Sequence, residues 1–362
     1  MHSVGRFDLT KQQIPTPALL VDLDAFEANI ARAATEAKAA GKRFRPHAKA
    51  HKCVEIARRQ LAAGACGVCV ATVSEAEMMA RADIAETLLT SPVADPIKIA
   101  RIVDTGAMVA VDHVRQVEWY QEAACAANVQ VAVLVDLDSG DRRTGAASVG
   151  QALEIAIAID RASHLWLRGV QAYTVSGSHG ADEKSRLEIS ANTFRIADEV
   201  RAEMARHGLH TDISSGGSTG TWSVDLGIAG VTELQAGSYA LMDMAYRRLG
   251  VGFDRAMTVL TTVISANHAE FVTVDGGFKA FSTDRPFGPE AIGLGDGATY
   301  RWGGDEFGFV DAGFANPRVR LGQRIEFVPP HCDPTVNLYD RIYACRGNEV
   351  EAVWSVMDRM RA

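Results

Sequence analysis

The chain has 362 residues, enough for one large domain plus a smaller one around a sizeable core. Its composition is ordinary for a globular protein, with 47% hydrophobic and 23% charged residues. A net charge of −8 offers no basic stripe for phosphates and speaks against a nucleic-acid partner. No apolar run approaches the roughly 20 residues that span a bilayer. The first residues lack the apolar centre of a signal peptide, so a cytoplasmic protein with no membrane partner is expected. Cysteines 53, 66, 69, 125, 332 and 345 are scattered, which predicts free thiols. Cys66 and Cys69 have redox or zinc spacing, but they lie in the apolar run ACGVCVATV and read better as core strand.

In chain order, PALLVDL (17–23) either joins a later β region or leads into the helix DAFEANIARAATEAKAAG. From about residue 43 to 240, short β-rich runs alternate with helical stretches. The strands are FRPHA (44–48), GVCVA (67–71), ETLLT (86–90), MVAVD (108–112), VAVLVDL (131–137), LRGVQAY (167–173), TDISS (211–215) and TELQAG (232–237). Helical patterns between them include CVEIARRQLAAG, HVRQVEWYQEAACAA and the long EKSRLEISANTFRIADEVRAEMARHG. This alternation predicts a parallel sheet, and eight strands fit a (β/α)8 TIM-type barrel. A doubly wound open sheet is the alternative. After about residue 245, VLTTVISA, EFVTVDGG, GFVDA, RIEFVPP, LYDRIYACR and EVEAVWSVM read as a mostly antiparallel β domain. The expected division is a barrel over 16–244 and a β domain over 245–362, with residues 1–23 associated with the latter.

Several segments could carry chemistry. RPHAKAHK (45–52) ends the first barrel strand, where barrel active sites form. Burial and nearby cations lower an amine's pKa there, which suits a lysine that forms Schiff bases; a solvated basic strand end is the plain alternative. SSGGSTG (214–220) follows the seventh strand and QAGSY (235–239) the eighth. Glycine-bearing loops at those strands favour phosphate binding over simple turns. His331 and Asp333, two apart in a segment read as extended, would share a face while Cys332 points away. An imidazole and a carboxylate suit Mn, Mg, Co or Zn, although for the pair taken alone a surface turn is the favoured reading. Arg143, Tyr173 at the end of the sixth strand, and His179 in a loop expected to be flexible complete the set; each alone reads as structural.

Together these segments resemble the fold-type III pyridoxal-phosphate enzymes of the D-threonine aldolase and D-serine dehydratase group, related to alanine racemase. The resemblance runs from TPALLVDLDAFEANI (16–30) to HCDPTVNLYD (331–340), and its most specific parts are RPHAKAHK, VSEAE (73–77), GGSTG, TELQAGSYALMD (232–243) and HCDPTVN. It implies a pyridoxal 5'-phosphate (PLP) Schiff base on Lys49 and phosphate contacts from Thr219, Gly237 and Ser238. Tyr173 and Tyr246 would line the cofactor, and Arg143 would face its pyridine nitrogen. His331 and Asp333 match the family's metal ligands, and His179 matches the histidine that takes the β-hydroxyl proton.

The implied activity is metal-dependent retro-aldol cleavage of a D-β-hydroxy-α-amino acid to glycine and an aldehyde, by a homodimer. The dehydratases of the group pair the metal histidine with a cysteine two positions on, whereas Asp333 and the DPTxN continuation fit the aldolases. D-serine or 3-hydroxy-D-aspartate dehydratase and 3-hydroxy-D-aspartate aldolase are the alternatives. A non-catalytic cofactor-binding protein fits less well, because such barrels lack the β domain. The match departs from the family at Ala71, where glutamine is usual, and at Asp305-Glu306-Phe307-Gly308, where a DEHG stretch is expected.

Overall fold

A computed structural model describes residues 9–180, 182–295, 297–311, 319–357 and 359. They divide into two compact units, one from the described parts of 9–31, 50–53 and 238–359, the other from 32–49 and 54–237. The apolar run after Pro17 forms β1 (Ala18–Asp22) and leads into the helix Leu23–Ala39.

The second unit carries the eight predicted parallel strands: β2 (Arg43–Phe44), β3 (Val68–Val70), β4 (Thr87–Leu89), β5 (Met108–Val111), β6 (Val131–Asp138), β7 (Leu165–Tyr173), β8 (Ile213–Gly216) and β9 (Glu233–Leu234). Their order is β2-β9-β8-β7-β6-β5-β4-β3, with every pair parallel. The Cys69 N–H donates to Pro46 O at 2.9 Å, and His47 bridges Cys69 in parallel register. The strand next to β9 thereby also meets β3, so the sheet returns on itself as a barrel and the open-sheet alternative falls. Burial on both faces explains why β3 to β6 read as nearly unbroken apolar runs. Helices follow the strands and start where side chains cap them. Thr72 accepts from Glu75 N–H, Asp182 from Ser185 N–H, and Asp95 from Ile97 N–H with Pro96 directly behind it.

The first unit adds β10 (Met257–Ser265), β11 (Val272–Val274), β12 (Glu290–Ala291), β13 (Thr299–Trp302), β14 (Gly308–Asp311), β15 (Arg324–Val328), β16 (Arg341–Arg346) and β17 (Glu349–Ser355). The path is β13-β14-β11-β10-β1-β16-β17, with β15 beside β10 and β12. β1 pairs antiparallel with β10 and parallel with β16, so the N-terminal run both joins this sheet and leads into the first helix. The other pairs are antiparallel, as the alternating sequence predicts. β12 and β13 went unpredicted because they are short and lie in a glycine-rich stretch. The six cysteines are unbridged, and Cys69 is buried in β3 as core. No helix among the described residues is long and apolar enough to cross a membrane.

Candidate active site

β2 ends after two residues, but the chain continues along β9: Arg45 N–H donates to Leu234 O at 2.9 Å and His47 N–H to Ala236 O at 3.1 Å. Lys49 therefore sits just beyond the strand, in a single tight turn over Ala48–Ala50, and is half-buried. Its N–H lies 3.4 Å from His47 Nδ1, and His47 Nε2 lies 3.1 Å from Thr90 Oγ1 at the end of β4. Neighbouring strands fix this turn, which suits a lysine that must hold a cofactor in one place.

The loop after β8 is buried and rich in hydroxyls. Gly217 has φ +78°, and a Cβ there would stand 2.4 Å from Asp225 Oδ2, so glycine is required on two counts. Ser218, Thr219 and Thr221 are all buried around it. Gly237 and Ser238 directly follow the residues that extend β9, and Ser238 is also buried. Glycine backbone and several hydroxyls at the ends of the last two barrel strands are the donor set a phosphate monoester needs. These residues and Lys49 fit PLP.

Beneath the loops runs a polar chain that the apolar patterning hid. Arg45 forms a two-point ion pair with Glu233, at 2.9 and 3.0 Å, with both side chains fully buried. Ser215 Oγ donates to Glu233 at 2.8 Å, and Gln235 Nε2 donates to Ser215 Oγ at 2.9 Å and Gln171 Oε1 at 3.2 Å. Gln171 Nε2 in turn donates to Thr90 O and Asp136 Oδ1, both at 2.8 Å. Burial alone would raise Glu233, but Arg45 and Ser215 hold it below the usual carboxylate range. Asp136 has hydrogen bonds from Gln171 and Thr144 but no such cation pair, and burial pushes it up to about 6.

Arg143 lies in a loop that Asp136, Asp138 and Asp112 hold through Thr144 Oγ1 and the N–H groups of Gly140, Arg142 and Gly145. Its guanidinium carbon is 4.9 Å from the centre of the Tyr173 ring. Ser178 Oγ donates to Tyr173 OH at 3.2 Å. His179, expected in a flexible loop, is the C-cap of the short helix Val175–Ser178 and is half-buried.

In the other unit the expected geometry at the metal pair needs correction. His331 has extended backbone, but Cys332–Val336 is a helical turn, so the shared-face argument from an extended segment does not hold. Cys332 is fully buried, and its Sγ lies 3.1 Å from Asp333 Oδ1 rather than pointing away. Ser238 Oγ donates to the same oxygen at 3.3 Å. His331 Nδ1 lies 2.7 Å from Asp284 Oδ2, and an imidazole N–H fixed on a carboxylate leaves Nε2 as the lone-pair donor to a metal. His331 and Asp333 thus offer one imidazole and one carboxylate, yet no group of three or more His, Cys, Asp or Glu ligands converges among the described residues. Asp243, unassigned by the motif, clamps the region: Oδ2 accepts from Cys332 N–H at 2.7 Å and Oδ1 from Tyr246 N–H at 2.9 Å. Burial raises the Asp243 carboxyl, offset by His331 and these two N–H groups. Tyr246 is buried in the helix Met244–Arg247.

Residues 21–274 match the family described as "Alanine racemase, N-terminal domain", and 256–345 that described as "Putative serine dehydratase domain". A 3-hydroxy-D-aspartate aldolase of Paracoccus denitrificans (strain Pd 1222) is 35% identical, over 97% of this chain and 94% of its own. A D-threonine aldolase of Arthrobacter sp is also 35% identical, over 96% and 93%. The crystal structure of D-threonine aldolase from Filomicrobium marinum superimposes with a TM-score of 0.94 at 34% identity, covering 97% of each chain. The chain belongs to the alanine racemase-like family, in the branch that holds these D-β-hydroxy-amino-acid aldolases.

Proposed function

We propose that the protein is a PLP-dependent carbon–carbon lyase that cleaves D-β-hydroxy-α-amino acids of the D-threonine type to glycine and an aldehyde. The observation that carries this reading is the coincidence, on one family-matched chain, of Lys49 fixed in its turn at the barrel strand ends with the buried hydroxyl loops after β8 and β9. Lys49 holds the cofactor's aldehyde, while Thr219, Gly237 and Ser238 hold its phosphate. Tyr173 and Tyr246 line the ring, and Arg143 faces the pyridine nitrogen. His331 and Asp333 hold a divalent metal, with Mn the first choice and Mg, Co or Zn the alternatives. When bound, PLP accepts the electron pair left on the α-carbon, and the metal draws charge from a hydroxyl as a Lewis acid. His179 removes the β-hydroxyl proton as the Cα–Cβ bond breaks.

Asp333 in place of a cysteine favours cleavage over dehydration, since a carboxylate suits a harder, more weakly held metal than a thiolate does. A cytoplasmic homodimer acting on small amino acids completes the proposal. Lys49→Ala should lose both cofactor absorbance and turnover; retained retro-aldol activity in that variant would refute the assignment.

A further inference from the structure

Asp225 is fully buried directly behind the loop after β8. Its Oδ1 accepts from Ser190 Oγ, on the helix Glu183–Arg206, and its Oδ2 from Thr221 Oγ1 at 2.5 Å. Ser218 N–H reaches the same Oδ2 at 3.4 Å and Thr221 Oγ1 at 3.0 Å. Ser218 Oγ and Thr221 Oγ1 lie 3.0 Å apart, and Thr221 N–H donates to Ser218 Oγ at 3.2 Å. Ser218 and Tyr173 also line one small cavity.

Each hydroxyl has a single proton, so the direction of this chain depends on Asp225. While Asp225 is ionised it only accepts, and it takes the Thr221 proton. The Ser218–Thr221 contact must then use the Ser218 proton, which turns that hydroxyl inward. A neutral Asp225 can donate to Thr221, and Thr221 to Ser218, which frees the Ser218 proton to face outward. Charge points the same way, because a buried carboxylate behind a phosphate site repels the incoming anion until it is neutralised.

We propose that Asp225 is a proton-coupled positioning residue, taking up a proton when a phosphate monoester binds the loop and thereby turning the Ser218 hydroxyl toward it. The proton comes from solvent and forms an O–H bond on the Asp225 carboxylate; otherwise only hydrogen bonds rearrange. This rests on the reading that the loop holds the PLP phosphate. Burial pushes Asp225 up to about 6, against the hydroxyls, Ser218 N–H and the field of Lys42. The Lys42 amine is itself bonded to the carbonyls of Ile228 and Val231.

The test is calorimetry of PLP binding to the apoenzyme in buffers of different protonation enthalpy, for the wild type and Asp225→Asn. The wild type should take up as much as roughly one proton more per site than the variant at about pH 7.5. The terms from Lys49 and from the phosphate's own titration are common to both proteins and cancel. An asparagine donates to Thr221 as a neutral acid would. Asp225→Asn should therefore bind PLP at least as tightly as the wild type at about pH 8, with the gap narrowing by up to roughly tenfold per pH unit toward pH 6. Equal proton uptake with phosphate-dependent binding would overturn the relay, as would an affinity loss in the variant that is the same at every pH. Should Asp225→Asn fail to fold, Ser218→Ala replaces it: its affinity loss should be largest near pH 6 and shrink as pH rises, and a pH-independent loss would refute the idea. Pyridoxal, which lacks the phosphate, separates the two readings. If it binds as tightly as PLP, the phosphate assignment itself fails; if it binds weakly and without the proton difference, the coupling belongs to the phosphate.

Discussion

Arg45 and Glu233 hold each other in the barrel interior with neither side chain exposed. Removing one partner of such a pair leaves a buried charge, which costs about 3–5 kcal/mol, whereas replacing both with apolar groups is often neutral. Arg45→Met should lower the urea midpoint sharply, and Arg45→Met combined with Glu233→Leu should recover most of the loss. A loss in the double variant equal to the sum of the losses in Arg45→Met and Glu233→Leu alone would show that the pair is not coupled. At this scale the sequence made candidates stand out where ordered, distinctive strings hold them: Lys49, Thr219, Gly237, His331 and Asp333. Asp136, Gln171 and Gln235 did not stand out. A lone polar residue in a β-rich run looks like a lapse in an apolar pattern, and only the closed sheet shows that it points inward to a partner.

The strands that present these residues make a pH-dependent claim of their own. Asp136 on β6 titrates near 6 in the folded chain, above the ordinary aspartate value of about 4, because burial disfavours its charge. The native state therefore binds this proton more tightly than the unfolded state. The stability it contributes is present at low pH and is lost as pH rises from about 4 to 6, by roughly 3 kcal/mol. Asp136→Asn lacks that penalty, so its stability relative to wild type should rise across this window in denaturant titrations. A difference that stays flat with pH would remove Asp136 as a buried acid. Among elements, all eight barrel strands were legible from β-rich runs alternating with helical stretches. The turn at Cys332–Val336 was not, because the residue before a proline is biased toward extended backbone. Pro334 is tolerated there, since the N–H it lacks belongs to the first turn, where no intrahelical partner exists.

On the scale of the whole molecule, the closed parallel barrel and the largely antiparallel sheet were both foreseen from the change in texture near residue 245. The threading of β1 between β10 and β16 was left open, because a five-residue apolar strand does not name its partners. The central claim is the bond that breaks, and family membership leaves two outcomes within reach, cleavage and dehydration. Asp333 is the residue that argues for cleavage. The most direct test is product analysis of the Mn-supplemented holoenzyme with D-threonine and 3-hydroxy-D-aspartate. The account predicts glycine with an equimolar aldehyde, acetaldehyde or glyoxylate respectively, and no ammonia; a keto acid with ammonia in place of glycine would contradict it.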